Sequence, residues 1–327
     1  MKKRLLTLLA VGVLSLGVVG CSTKPADTTG PKEVKVGVAI YKFDDNFMTV
    51  YREELQAYFK TKNTDEVTYT VDVQDGKGDQ AEQTNQIQNW ITAKYDVIIA
   101  NLVQSTSAQT ITDMCKEAGI PVVYINREPE ASVLESYPEK STYVGADARQ
   151  SGTFQGEIIA ALPDKGDANG DGTVKYLMIQ GDPENVDAKY RTEFSVKALT
   201  DAGVPNELLS MQRGDWDQAK GQEITANALT QFAGELDVVF ANNDGMALGA
   251  YQAITAAGRT VGKDIYLVGV DALPEALKLV DEGGMTGTVL NDATGQSHTA
   301  VDCAIKVING EKLDQLYSVD YVKIVKE

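Results

Sequence analysis

The strongest constraint on this chain is an alternation. Between residues 34 and 308, short β-branched runs take turns with longer stretches of helical period, beginning with VKVGVAI (34–40) and a following helix in which Phe47, Met48, Tyr51, Leu55 and Phe59 recur at helical spacing. DVIIA (96–100) is short and continuously apolar, like strands of a parallel sheet covered on both faces. Further strands are expected at 67–73, 122–125, 142–145, 174–179, 238–241, 265–270 and 286–290. Helices are expected at 80–93, 108–118, 151–162, 188–202, 218–232, 246–257, 274–281 and 294–308. The pattern excludes an all-α or all-β protein and leaves an α/β fold, either an eight-fold barrel or a pair of doubly wound parallel sheets.

Asp and Asn collect where these strands end: Asp44-Asp45-Asn46, Asn101, Asn242-Asn243-Asp244, Asp271 and Asn291-Asp292. Ligands bind at the carboxyl ends of strands in both architectures, so these groups can converge on one crevice. Helix N-capping favours the same residue types and accounts for about half of them, Asp244 and Asp292 included.

Composition narrows the chemistry. A chain of 327 residues with 43% hydrophobic and 24% charged residues is expected to form two domains around sizeable cores. The formal net charge of −17, with no basic stripe, speaks against nucleic-acid binding. No CxxC pair or Cys/His cluster occurs, and Cys115 and Cys303 read as small buried residues. The one histidine, His298, lies in GQSHTAVD, an exposed helix turn by its pattern and a poor seat for a nucleophilic triad. A mixture of Asp, Asn and aromatic residues suits a neutral polyol, because carboxylates accept from hydroxyls, amides donate and accept, and flat rings cover the C–H faces of a pyranose. Phe47 and Trp216 are the candidate rings, Trp216 because its polar segment QRGDWDQAK has no apolar period to bury it.

At the N-terminus, Lys2, Lys3 and Arg4 precede an apolar run (5–19) and the sequence VVGC (18–21), the pattern of a lipoprotein signal peptide ending at a lipobox. Cys21 is the expected lipidation site. STKPADTTGPK (22–32) has the composition of a flexible tether. An extracytoplasmic protein anchored to the membrane through lipidated Cys21 is expected.

Six ordered segments carry a family resemblance: IYKFDDNFM (40–48), ANLV (100–103), PVVYINREP (121–129), ANNDGMALGA (241–250), GVDALPEAL (269–277) and GTVLNDA (287–293). In these the chain resembles the periplasmic glucose/galactose-binding proteins of the type I solute-binding superfamily. The resemblance implies two doubly wound lobes joined by a three-segment hinge, with 34–144 plus 293–319 in the N-terminal lobe, 145–292 plus 320–327 in the C-terminal lobe, and 22–33 as tether. It implies sugar contacts at Asp45, Phe47, Asn101, Asp187, Arg191, Trp216, Asn243, Asp271 and Asn291, with the two rings sandwiching the sugar and Asp45 facing the 4-hydroxyl. Asn185 stands where the family usually has His. It implies capture of D-glucose or D-galactose by a monomer, without catalysis, for delivery to an ABC permease. A chemoreceptor or sensor kinase is the alternative partner.

DANGDGTVK (167–175) matches the opening of a calcium loop, with Asp167, Asn169, Asp171 and Thr173 at the alternate positions. The family binds calcium there with an oxygen ligand at the ninth position and a Glu from a distant strand. This chain has Lys175 and, by alignment, Asp237 instead. A weakened calcium site and an Asp/Asn turn held by Lys175 both remain open. Among rival functions, a glycosidase needs a carboxylate pair across a sugar bond, and a repressor of the same superfamily needs a DNA-binding helix pair where this chain carries a signal and tether.

Overall fold

The computed structural model describes residues 30–326, so Cys21 and the segment up to residue 29 lie outside the described residues. β1 (Lys32–Ile40) begins the first lobe and continues through α1 (Asn46–Thr61), β2 (Val67–Asp75), α2 (Gln80–Thr92), β3 (Val97–Ala100), α3 (Ala108–Ala118), β4 (Val122–Ile125), α4 (Ala131–Ser136) and β5 (Ser141–Gly145). The second lobe holds α5 (Ala148–Ala160), β6 (Val174–Gln180), α6 (Val186–Asp201), β7 (Asn206–Arg213), α7 (Gln218–Phe232), β8 (Val238–Ala241), α8 (Asp244–Ala256), β9 (Tyr266–Val268), α9 (Pro274–Glu282) and β10 (Gly287–Leu290). The chain then returns through α10 (Ala293–Ile308) and β11 (Leu316–Ser318) to the first lobe, and β12 (Val322–Val325) joins the second.

Two six-stranded sheets result, in the orders β11-β5-β4-β3-β1-β2 and β12-β10-β9-β8-β6-β7, parallel except that β12 runs against β10. This decides against a barrel. β3, β4 and β8 are buried along their whole length between helices on both faces, which is why they read as unbroken apolar runs. On one face of the first sheet, Tyr51, Leu55 and Phe59 of α1 pack with Val301 and Ala304 of α10 against Val36, Val38 and Ile40. The chain passes between the sheets three times: after β5, between β10 and α10, and between β11 and β12.

Several elements depart from the sequence reading. The tether ends sooner than residue 33, because Lys32 already pairs with Val67. β7 has no signature because it is an edge strand with exposed Leu208 and Met211, and β11 and β12 are short and largely exposed. α4 is a single short helix that the pattern also missed. Helix starts differ where a cap lies upstream: α5 begins at Ala148 behind Asp147, and α6 at Val186 behind Asn185. Asp292 caps α10 as expected, but Asp244 does not cap α8. Asn243 takes that role, while the buried Asp244 carboxylate accepts from Leu273 N at 2.9 Å and Thr288 Oγ1 at 2.7 Å, tying α8 to the start of α9 and to β10.

Candidate functional site

The carboxyl ends of β1, β4, β6, β7, β8, β9 and β10 lead into residues that line one cavity between the lobes: Tyr41, Asp45 and Phe47 after β1, Asn126 and Arg127 after β4, and Asn185, Asp187, Arg191, Trp216, Asn243, Asp271 and Asn291 from the other side and the hinge. The lining side chains nearly fill the cavity, leaving about 30 Å³ that the centre of a water molecule can reach.

The lining groups are held by neighbouring backbone and side chains. Asp45 caps α1, its Oδ1 accepting from Met48 N at 2.7 Å, while its Oδ2 accepts from the Tyr41 hydroxyl at 2.7 Å. Phe47, in the first turn of α1, is buried at the edge of the first-lobe core. Asn185 caps α6 by accepting from Asp187 N at 3.0 Å, so the start of α6 brings both residues to the cavity. One helical turn on, Arg191 donates to Asn242 O at 2.8 Å and to the Tyr321 hydroxyl at 3.0 Å, and its guanidinium lies 3.7 Å from the Asp187 carboxylate. Asn243 caps α8 through Met246 N and donates from Nδ2 to Trp216 O at 3.3 Å. Asn291 donates to Asp271 Oδ1 at 3.3 Å and accepts from Gln296 Nε2 at 2.5 Å.

The indole of Trp216 enters through a sharp turn in which both Asp215 and Trp216 have left-handed φ, +51° and +66°, a conformation non-glycine residues seldom adopt. It packs against the cores of both lobes, and Gly181 leaves it room, since a Cβ there would stand 2.3 Å from the ring. Trp216 Nε1, Arg127 Nε and Arg191 Nε are buried donors with no acceptor among the described protein atoms. Buried polar groups are normally paired, so these three mark the cavity as a place built to receive acceptors.

Burial dominates the electrostatics. It pushes the Asp187 carboxyl up to about 6, against the lowering effect of Arg191, and holds Asp271 well above the usual carboxylate range, again with Arg191 opposing. Arg191 itself stays above the ordinary guanidinium value, because Tyr321, Asp271 and Asp187 outweigh its burial.

Nine of the ten residues expected to touch a sugar therefore line a single cavity. Asn101 does not. It is buried one layer behind, accepting from Tyr41 N at 3.2 Å and donating to Asn126 Oδ1 at 3.0 Å, so it positions lining residues and does not face the cavity. Tyr41, Asn126 and Arg127 were not singled out from sequence. The Arg127 guanidinium lies 3.9 Å from the centre of the Tyr41 ring, donates to Val103 O and stands 3.8 Å from the Asp182 carboxylate of the other lobe. The available signal was an arginine two residues after a short, continuously buried-looking strand; the structure buries it to 2% exposure. His298 lies elsewhere, on α10, bonded to Glu54 at 2.7 Å and stacked on Tyr58. Cys115 and Cys303 are buried and free. The loop from Asp167 to Lys175 runs into the start of β6, at the end of that strand away from the cavity, and among the described residues no group of three or more His, Cys, Asp or Glu side chains is arranged to hold a metal ion. No described helix is long and apolar enough to cross a membrane.

Residues 36–312 match the periplasmic binding protein domain family. The chain is 33% identical to the D-galactose/methyl-galactoside binding periplasmic protein MglB of Haemophilus influenzae over 96% of each protein. It is 32% identical to a putative rhizopine-binding protein of Rhizobium meliloti, over 94% of this chain and 96% of that one. Its structure matches an ABC transporter solute binding protein from Bacillus halodurans with bound myo-inositol, with a TM-score of 0.79 and 28% identity over 91% of this chain and 96% of that one. The chain thus belongs to the periplasmic binding protein domain family, the type I sugar-binding proteins of ABC importers, with its cavity where the two lobes meet.

Proposed function

We propose that this protein captures D-glucose or D-galactose outside the cytoplasm and delivers it to an ABC sugar importer, catalysing no reaction. One observation carries the reading: Phe47 from one lobe and Trp216 from the other line the same cavity, among carboxylates (Asp45, Asp187, Asp271), amides (Asn185, Asn243, Asn291) and a guanidinium (Arg191). Rings supply the apolar cover a pyranose needs, and acceptors and donors around them match its hydroxyls. Closure of the lobes on the sugar is the change the permease senses, and lipidated Cys21 holds the protein near it. Asn185 in place of the family's usual His offers a shorter, non-titrating hydrogen-bonding group at one hydroxyl, and so bears on the choice between the two hexoses.

A second reading has support of its own, because the matched solute binding protein from Bacillus halodurans carries myo-inositol. Thermal unfolding with added ligand separates them, since a ligand that binds only the folded state stabilises it by RT ln(1 + [L]/Kd). Millimolar D-glucose or D-galactose should raise the melting temperature of the soluble body, with D-ribose nearly without effect. In Trp216→Ala the affinity should fall more than about tenfold, about 1.4 kcal/mol. A shift with myo-inositol and none with either hexose would replace the hexose reading, and a Trp216→Ala protein of unchanged affinity would remove the stacking role.

A further inference from the structure

We infer that Lys175 and Asp237 together replace a bound divalent cation in the loop from Asp167 to Lys175, so that this chain keeps a calcium-type loop closed with its own ammonium and amides. In a calcium loop of this kind, oxygens at alternate positions converge on the ion and a carboxylate closes the far side. Here the side-chain oxygens of Asp167, Asn169, Asp171 and Asp237 all accept from donors of the chain itself.

Asp167 Oδ1 accepts from Gly170 N at 2.9 Å and Asp171 N at 3.1 Å, and its Oδ2 accepts from Gly172 N at 2.8 Å. Asn169 Oδ1 accepts from Asp171 N at 2.9 Å, and Asp171 Oδ1 from Thr173 N at 3.1 Å. The remaining Asp171 oxygen, Oδ2, lies 2.8 Å from Lys175 Nζ, which also stands 3.4 Å from Glu235. The ammonium thus occupies the ninth position of the loop, where a cation would look for a ligand, and an incoming ion would meet a like charge.

Asp237 completes the substitution. Fully buried, it accepts from Asn169 N at 3.1 Å through one oxygen and from Lys175 N at 2.9 Å through the other, joining the middle of the loop to its end. A Glu reaches one methylene further, toward an ion at the loop centre; the shorter Asp meets the backbone instead. The two departures from a calcium loop are therefore one change, a carboxylate drawn back onto amides and an ammonium brought in to meet the loop's negative charge. The residues present do not fit a calcium ion.

Calorimetry with calcium chloride on three proteins tests this: wild type, Lys175→Gln and Lys175→Gln/Asp237→Glu. Wild type should show no binding below millimolar calcium and no change of melting temperature on adding chelator. Lys175→Gln should bind at least tenfold more tightly than wild type, because the amide restores an oxygen and removes the repelling charge, and the double variant more tightly again. Because Asp237 is buried, the double variant risks misfolding, and Lys175→Gln alone then decides. Micromolar binding by wild type with loss of melting temperature in chelator would overturn the inference, as would a Lys175→Gln affinity no better than wild type. Sugar binding by wild type, measured in the same samples with and without chelator, keeps this result separate from the assignment of the cavity.

Discussion

Asp187 is held between two opposing demands. Burial pushes its carboxyl up to about 6, while Arg191 draws it down and Glu128, Arg127 and Asp147 add smaller effects of either sign. Ionised, it offers acceptors only and takes a ligand hydroxyl more strongly than the neutral acid, whose proton turns one oxygen into a donor, so binding should weaken as pH falls through that value. If the ionised form alone is competent, a fall from pH 7 to 5 leaves about a tenth of it and weakens affinity about tenfold. Folding has the opposite sign: between the ordinary 3.8 and about 6 the folded protein holds more protons than the unfolded chain, so this group's contribution to stability is greatest at low pH and declines as pH rises through the window. A loss of affinity at pH 5 is then not local unfolding on account of Asp187. Calorimetric titration of sugar at pH 5, 6, 7 and 8 checks it, with Asp187→Asn expected to bind weakly and with a flatter profile. A wild-type profile already flat over that range would dismiss the role. Residue types at strand ends were legible in advance because polar groups interrupt apolar runs there. Asn101 and Arg127 exchanged places in the outcome, since whether a strand-end side chain faces a cavity or the layer behind it depends on neighbours far along the chain.

At the scale of elements, the site depends on how closely α5 and α6 approach. Gly152 and Gly156 on α5 let the backbone of α6 come in so near that a Cβ on Gly156 would stand 2.2 Å from Ser195 O, and one on Gly152 2.9 Å from Arg191 O. α6 carries Asp187 and Arg191, and Ser195 lies one turn beyond. Gly156→Ala must therefore push α6 outward. Overpacking of this kind costs about 1–3 kcal/mol, more than the ~1 kcal/mol that alanine gains over glycine in a helix. Denaturant unfolding should show the variant destabilised, and its sugar affinity should fall because the start of α6 moves with the rest. Gly234→Ala, where nothing lies within 4 Å of the added carbon, should change neither property. A fully stable Gly156→Ala protein with unchanged affinity would mean that α6 is not braced by this contact. Long helices and central strands were readable because one-sided burial leaves a period. β7, β11 and β12 were not, because edge strands with exposed side chains leave none.

For the whole molecule, the ion pair between Arg127 and Asp182 reaches from one lobe to the other, and Asp182 also faces Arg213 at 3.4 Å. Because Asp182 remains 20% exposed and the pair stands at 3.8 Å, it is a modest tie between the lobes. Asp182→Asn should weaken sugar binding about two- to fivefold, near the ~0.2–1 kcal/mol of exposed ion pairs, with the unfolding midpoint little changed. Unaltered affinity would show that closure does not draw on this contact. The sequence by itself determined the α/β class, the order of most elements, and the residues that end each strand. Local pattern suffices for these, because burial of one helix face or both faces of a strand acts over a few neighbouring residues. Alternation alone left a barrel and two sheets open and the family resemblance pointed to two sheets, which the tertiary structure bears out. Only the tertiary structure put Asn101 behind the cavity and Arg127 beside it, and engaged Asp237 with the amides of Asn169 and Lys175. Those outcomes rest on register and on three crossings between sheets, which bring together residues up to about 250 positions apart, such as Tyr41 and Asn291, and no local period records such a meeting.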